Sequence, residues 1–263
     1  MIYFYCVKPI LHFVIDYLES IQVNYNNIEI LDDYNILSNN VTNKDIIIFI
    51  QNLPYISPKI REMKYYLLNI EQLSKEEWVN KLTDMNNIKI IDYSLANISC
   101  LSPHRFNLYY LPYMVNRKEI MNYEKIYDIA SIGCWDDSYR LNITNQIAGV
   151  NIIEGYGKER DDHLFKHKIL LNVHFNKRFQ IFEQIRCNRC IMNKMIVITE
   201  KSLDNNYELK KYIIECDYDD LVSTVKTVLE NYDYYYHKLF DNFDIDAIEK
   251  NYKEIADKTI GLL

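Results

Sequence analysis

The chain has 263 residues, with 37 Asp and Glu against 30 Lys and Arg and a formal net charge of −7. It therefore lacks the basic balance that is the usual footprint of a nucleic-acid-binding protein. A hydrophobic fraction of 49% and a charged fraction of 25% describe a globular protein long enough for one large domain or two modest ones.

The first residues, Met1–Leu18, are apolar but broken by Lys8, Pro9, His12 and Asp16, and they carry neither a basic leader nor a small-residue cleavage site. Neither a signal peptide nor a membrane span is expected there, because a spanning helix needs about 20 consecutive apolar residues. Compact runs rich in β-branched or aromatic residues predict strands at Ile2–Val7, Ile28–Leu31, Ile46–Ile50, Tyr65–Ile70, Ile88–Ile91 and Leu108–Leu111. Between them, Leu11–Ile21 and Ser74–Met85 have helical spacing. Ser74 followed by Glu77 has the form of a capping box. Strands and helices in alternation predict βαβ units and a parallel sheet. Every proline precedes residue 113 and every glycine follows residue 132, so a boundary is expected in the polar stretch Asn116–Lys125. The expected domains are residues 1–120 and 121–263.

The second half repeats the rhythm. Strands are predicted at Ile126–Ile132, Asn151–Ile153, Ile169–Val173, Met195–Thr199 and, more weakly, Ile213–Cys216. Beyond them, Leu221, Val225 and Val228, then Ile245, Ile248, Tyr252 and Ile255, fall at helical spacing and predict a helical tail. This half also holds the one basic island of the chain. Lys158–Lys194 contains nine Lys and Arg against four Asp and Glu, a local net of +5. A basic cluster in an acidic protein points to an anion, and the loops of an α/β unit gather at a sheet edge that commonly binds phosphates.

Two segments carry candidate chemistry. Gly155-Tyr156-Gly157, with Lys158 and Arg160 behind it, joins a predicted strand to a predicted helix. Such a loop presents unpaired N–H groups and a positive dipole end to an anion, or serves as a plain strand–helix turn. The second segment runs from Asn172 to Glu200. Ile181, Phe182, Ile185 and Met192 mark one face of a predicted helix, and Glu183, Arg186, Cys187 and Cys190 mark another. Glu183 and Arg186 read as a surface ion pair or, in a cleft, as an acceptor of ribose hydroxyls and a bidentate clamp on phosphate. For accepting a proton, Glu71 and Asp92 at predicted strand ends, and His104, are the candidates in the first half, with helix caps or loop residues as the alternative. Six cysteines (Cys6, Cys100, Cys134, Cys187, Cys190 and Cys216) are scattered, so reduced thiols in a cytoplasmic protein are expected. Cys187-x-x-Cys190 has no second pair and sits within a predicted helix, which favours packing over metal binding. The absence of any GxGxxG argues against a dinucleotide.

The order "YDIASIGC", "GYGKERDDHLFKHKILLNVHF", "IFEQIRCNRCIMNKMIVITE" resembles the C-terminal half of GT-B glycosyltransferases, especially small bacterial and viral members. Upstream, "YYLLNIEQLS", "IKIIDYSLANI" and "NLYYLPY" are also similar to such proteins, so the resemblance covers most of the chain. It implies an α/β fold of two Rossmann-like domains facing a cleft. It also implies a nucleotide-sugar donor on the C-terminal domain and an acceptor, be it glycan, lipid or protein, on the N-terminal one. By the same resemblance Glu183 contacts the donor ribose, with Gly155–Gly157, Arg160, Asn172, His174, Phe182, Arg186 and Thr199 around the donor. His174 joins Asp92 and Glu71 as a catalytic candidate. Lys177, Arg178 and Arg186 offer leaving-group stabilisation without a metal. Many retaining members carry a Glu-x7-Glu pair whose second member matches Glu183; the first falls here on Phe175, beside His174. A binding or scaffold protein of the same fold, without catalysis, is the alternative. The 24 tyrosines suit core filling or a homodimer interface equally.

Overall fold

A computed structural model of the chain describes residues 1–54, 56–85, 88–104, 106–133, 138–204 and 208–263. These form two compact units, Met1–Asn116 with Glu249–Leu263 (unit 1) and Arg117–Ile248 (unit 2). The last helical turns, expected in the second domain, thus fold with unit 1. The reason lies in its hydrogen bonds: Tyr66 donates to the Leu263 carbonyl at 3.1 Å, Thr259 to the Tyr110 carbonyl at 2.5 Å, and Tyr25 to Asp257 at 2.8 Å.

Unit 1 runs β1 (Ile2–Tyr5), α1 (Lys8–Gln22), β2 (Ile28–Leu31), α2 (Tyr34–Asn40), β3 (Ile46–Ile50), α3 (Pro58–Arg61), β4 (Lys64–Asn69), α4 (Glu76–Thr83), β5 (Lys89–Asp92), α5 (Leu95–Leu101) and β6 (Asn107–Tyr110). Its sheet is parallel in the order β2-β1-β3-β4-β5-β6. Strands covered on both faces read as unbroken apolar runs rather than alternating ones, which is why Ile46-Ile47-Ile48-Phe49-Ile50 stands out in the sequence. One face of the sheet packs Ile47, Phe49, Leu67 and Ile90 against Leu37, Ile60, Leu82 and Leu101 from the helices. Helix α4 opens at Glu76, two residues after Ser74, with Lys75 in the N-cap position.

Unit 2 runs β7 (Tyr127–Ser131), α6 (Ser138–Thr144), β8 (Val150–Ile152), α7 (Gly157–Leu164), β9 (His167–Asn172), α8 (Gln184–Met192), β10 (Ile196–Glu200), β11 (Ile213–Cys216), α9 (Leu221–Glu230) and α10 (Tyr232–Phe240). The first turn of α11 (Ile245–Leu262) follows. Its sheet is also parallel, in the order β11-β10-β9-β7-β8. Lys125 is its most unusual anchor, donating to the Phe165 and Asn193 carbonyls at 2.7 and 2.9 Å, the C-caps of α7 and α8. A cation there answers the negative ends of two helix dipoles. Burial nonetheless holds the ammonium down at about 8.

Two further expectations change. The helix bearing Glu183 begins only at Gln184, so Glu183 is its N-cap residue and Ile181-Phe182 precede it. Phe182 is drawn out of the helix because its N–H donates to Asp204 at 2.7 Å. The basic island is largely neutralised within the unit: Lys158 pairs with Asp162, Arg160 with Asp161, Lys168 with Asp128, and Arg189 with Glu119 and Asp161. Cys187 and Cys190 are wholly buried, and burial pushes the Cys190 thiol up to about 12, so both pack as small apolar groups. Cys134 lies outside the described residues. Among the described residues no helix is long and apolar enough to cross a membrane.

Candidate functional site

After β7 the chain of unit 2 builds β8 on one side and then returns to build β9 on the other. Strand order reverses at that point, and open α/β sheets bind ligands outside the carboxyl ends of their strands where it does. Gly133 follows β7, Asn172-Val173-His174 closes β9, and Thr199-Glu200 closes β10. The register pairs Thr199 with Asn172, and Asn172 Nδ2 donates to Thr199 Oγ1 at 3.0 Å.

Glu183 is the hub of this edge. Its Oε2 accepts from Arg186 at 2.8 Å and its Oε1 from Arg140 at 3.2 Å. Arg186 also donates to Asn172 Oδ1 at 2.7 Å, and Arg140 Nε to the Val173 carbonyl at 2.8 Å. Burial on its own would raise the Glu183 carboxyl. The charges of Arg186, then Arg140 and His174, with a hydrogen bond from Asn172, outweigh it and hold the carboxyl below its ordinary range. Two guanidiniums thus face one carboxylate, with Arg140 only 3% exposed. Guanidiniums gathered at the carboxyl edge of a parallel sheet are the donors that recognise a phosphate group. Gly133 makes the approach of these groups feasible. A Cβ there would lie 2.6 Å from Arg140 and 3.1 Å from Arg186, and its φ of +141° disfavours any L side chain.

His174 lies at the same edge. It is 3% exposed, and neither ring nitrogen has a hydrogen-bond partner among the described residues. Its main-chain N–H donates to Glu200 Oε1 at 3.0 Å, while Glu200 Oε2 accepts from the Tyr139 hydroxyl at 2.9 Å. Burial raises the Glu200 carboxyl, and His174 and Tyr139 offset this only in part.

The structure thus brings together Asn172, His174, Glu183, Arg186 and Thr199 from the sequence candidates, with Phe182 buried directly before Glu183. It adds Tyr139, Arg140 and Glu200, which sequence reasoning missed; the one available signal was that Gly133 and Glu200 directly follow predicted strands. The Gly155–Gly157 loop follows β8, an edge strand, with Tyr156 exposed and Arg160 bonded to Asp161. Lys177 and Arg178 are exposed. Phe175, where the Glu-x7-Glu pattern has its first carboxylate, lies under the Arg140 guanidinium at 5.5 Å.

In unit 1, Asp92 is fully buried and accepts from Asn69 at 2.6 Å, Ser94 N–H at 2.8 Å and Asn97 at 3.0 Å, so it ties β4, β5 and α5 together. Glu71 accepts from Gln51, a residue held at φ +64°, and burial raises its carboxyl against the pull of Lys75 and Lys81. His104 ends a short 3-10 turn.

Several known proteins are similar to this chain. HepE from Anabaena, solved in complex with UDP-glucose, superposes with a TM-score of 0.64 at 9% identity over 98% of this chain and 99% of that one. A glycosyltransferase from Rickettsia africae superposes with a TM-score of 0.54 at 10% identity, covering 98% of each. At such identities the likeness shows the fold, which is that of GT-B glycosyltransferases. No family model matches. Two proteins of Acanthamoeba polyphaga mimivirus match in sequence. Uncharacterized protein R358 is 34% identical over 201 residues, 71% of this chain and 70% of that protein. Uncharacterized protein L140 is 31% identical over 198 residues, and this chain spans only 64% of it. The chain belongs to the family of the mimivirus protein R358, built on a GT-B glycosyltransferase-like fold.

Proposed function

We propose that the chain is a glycosyltransferase that binds a nucleotide-sugar donor at the carboxyl edge of the unit 2 sheet. The observation that carries this reading is the Arg140–Glu183–Arg186 cluster over Gly133, at the point of strand reversal, beside a buried histidine whose ring has no hydrogen-bond partner among the described residues. Arg186 supplies guanidinium donors to the diphosphate, in the ground state and as charge builds on the leaving group, while Arg140 holds Glu183 in place. Glu183 accepts from the ribose hydroxyls, and Asn172, Thr199 and Phe182 hold it and Arg186 in place. The reading needs no metal ion, because the guanidiniums counter the diphosphate charge. Arg160 stays outside it, its guanidinium taken by Asp161. His174 is the residue of unit 2 suited to moving a proton. Glu71 is better suited than Asp92 in unit 1, because Asp92 already accepts three hydrogen bonds.

The donor of first choice is a UDP-sugar, the ligand bound by HepE. Calorimetric titration of UDP, GDP, TDP and ADP and their glucose conjugates into the folded protein tests the reading. Selective binding of one nucleotide, with slow hydrolysis of its sugar conjugate, is expected. Phe175 at the position of the first carboxylate favours a second reading, a donor-binding protein without turnover. Tight binding with no hydrolysis and no transfer to any acceptor would select it.

A further inference from the structure

The two carboxylates of the unit 2 edge have different surroundings. Glu183 is enclosed by guanidiniums, which counter its charge. Glu200, 6% exposed, forms no ion pair with Lys or Arg among the described residues. One of its oxygens accepts from the His174 N–H and the other from the Tyr139 hydroxyl, so each keeps a lone pair for a further donor. The ring of His174, whose main-chain N–H Glu200 holds, is buried, and neither its donor nor its acceptor nitrogen is used among the described residues. Donor-rich guanidiniums thus form one side of the edge, and an acceptor carboxylate with an idle imidazole forms the other.

The idle atoms define their ligand. A second phosphate is disfavoured by the carboxylate, and an apolar group leaves the imidazole and carboxylate desolvated and unpaired. A hydroxyl satisfies both, since it donates to Glu200 and accepts from the imidazole N–H. We infer that Glu200 and His174 read the sugar of the nucleotide-sugar, Glu200 accepting from one hydroxyl and His174 bonding the same or an adjacent one, with Tyr139 fixing the Glu200 carboxylate. This assignment rests on the donor-site reading above and makes Glu200 the residue that separates the sugar conjugate from the bare nucleotide. Tyr139 acts through Glu200 and is a positioning residue.

The test is calorimetric titration of UDP and of UDP-glucose into the wild type, Glu200→Gln, His174→Ala and Tyr139→Phe, each checked for native circular dichroism and thermal melting. The wild type is expected to bind UDP-glucose more tightly than UDP. Glu200→Gln and His174→Ala each weaken UDP-glucose about tenfold more than UDP, the size of one hydrogen bond to a charged or buried partner. Tyr139→Phe gives a smaller loss of the same kind. If UDP binds the wild type but both compounds weaken in parallel in Glu200→Gln, or the preference for UDP-glucose survives there and in His174→Ala, the assignment is wrong and the donor-site reading stands. If folded wild type binds neither compound, the donor-site reading itself is lost, and this one with it.

Discussion

Replacing Gly133 by alanine tests the geometry of the edge most severely, because one methyl group opposes two effects. At φ +141° an L residue is strained, at about 1–3 kcal/mol. The new Cβ would also stand 2.6 Å from an Arg140 side-chain nitrogen. A guanidinium at the surface would swing aside, but this one is 3% exposed and pinned to the Val173 carbonyl at 2.8 Å and to Glu183 at 3.2 Å. Moving it forfeits a hydrogen bond to a charged group, worth roughly 1.5–3 kcal/mol. The sum predicts a destabilisation of about 2.5–6 kcal/mol, measured by urea unfolding. Arg140→Met removes the obstacle, so adding Gly133→Ala to it costs only the backbone strain, about 1–3 kcal/mol. Equal cost of Gly133→Ala in both backgrounds would refute the packing of Arg140 against Gly133. A cost below about 0.5 kcal/mol in the wild type would refute the backbone assignment as well.

Asp92→Ala deprives Asn69, Asn97 and the Ser94 N–H of their common acceptor, and a loss of about 3 kcal/mol or more by urea unfolding is expected. An exposed helix cap would lose only about 1 kcal/mol. Lys125 should report on pH. Its ammonium, at about 8 in the folded chain against 10.5 ordinarily, is penalised by burial in full below pH 8. As pH rises from about 8 to 10.5 the folded state releases the proton first, so the stability of the wild type relative to Lys125→Met should increase across that window. A difference that is flat or falls would contradict the burial of the ammonium.

The strands were legible because a parallel sheet covered on both faces writes each strand as an apolar run. Ile28–Leu31, Ile46–Ile50 and Ile213–Cys216 fall where their runs predict. Helix starts were less legible. Ile181 and Phe182 have helical spacing with Ile185, yet a hydrogen bond from Phe182 to Asp204, across the intervening β10, draws them out of the helix. The overestimate of the basic island has the same origin, since Asp128 and Glu119, which neutralise Lys168 and Arg189, lie outside it in sequence. Glu183 and Arg186 were readable as an i, i+3 pair. Arg140 and Glu200 were not, because they meet Glu183 and His174 only through the register of β9 and β10 and the placing of α6.

The central claim is that the Glu183–Arg186 edge of unit 2 holds a nucleoside diphosphate. It is tested most directly by the affinity of UDP for folded wild type and for Arg186→Ala, measured side by side at low and at physiological salt. Arg186 faces the ligand in this account while Arg140 and Asn172 keep Glu183 in place, so Arg186→Ala should stay folded and lose about 10–100-fold in affinity, more at low salt. Equal affinities in the two proteins, or no binding of UDP by the wild type at either salt, would contradict the claim.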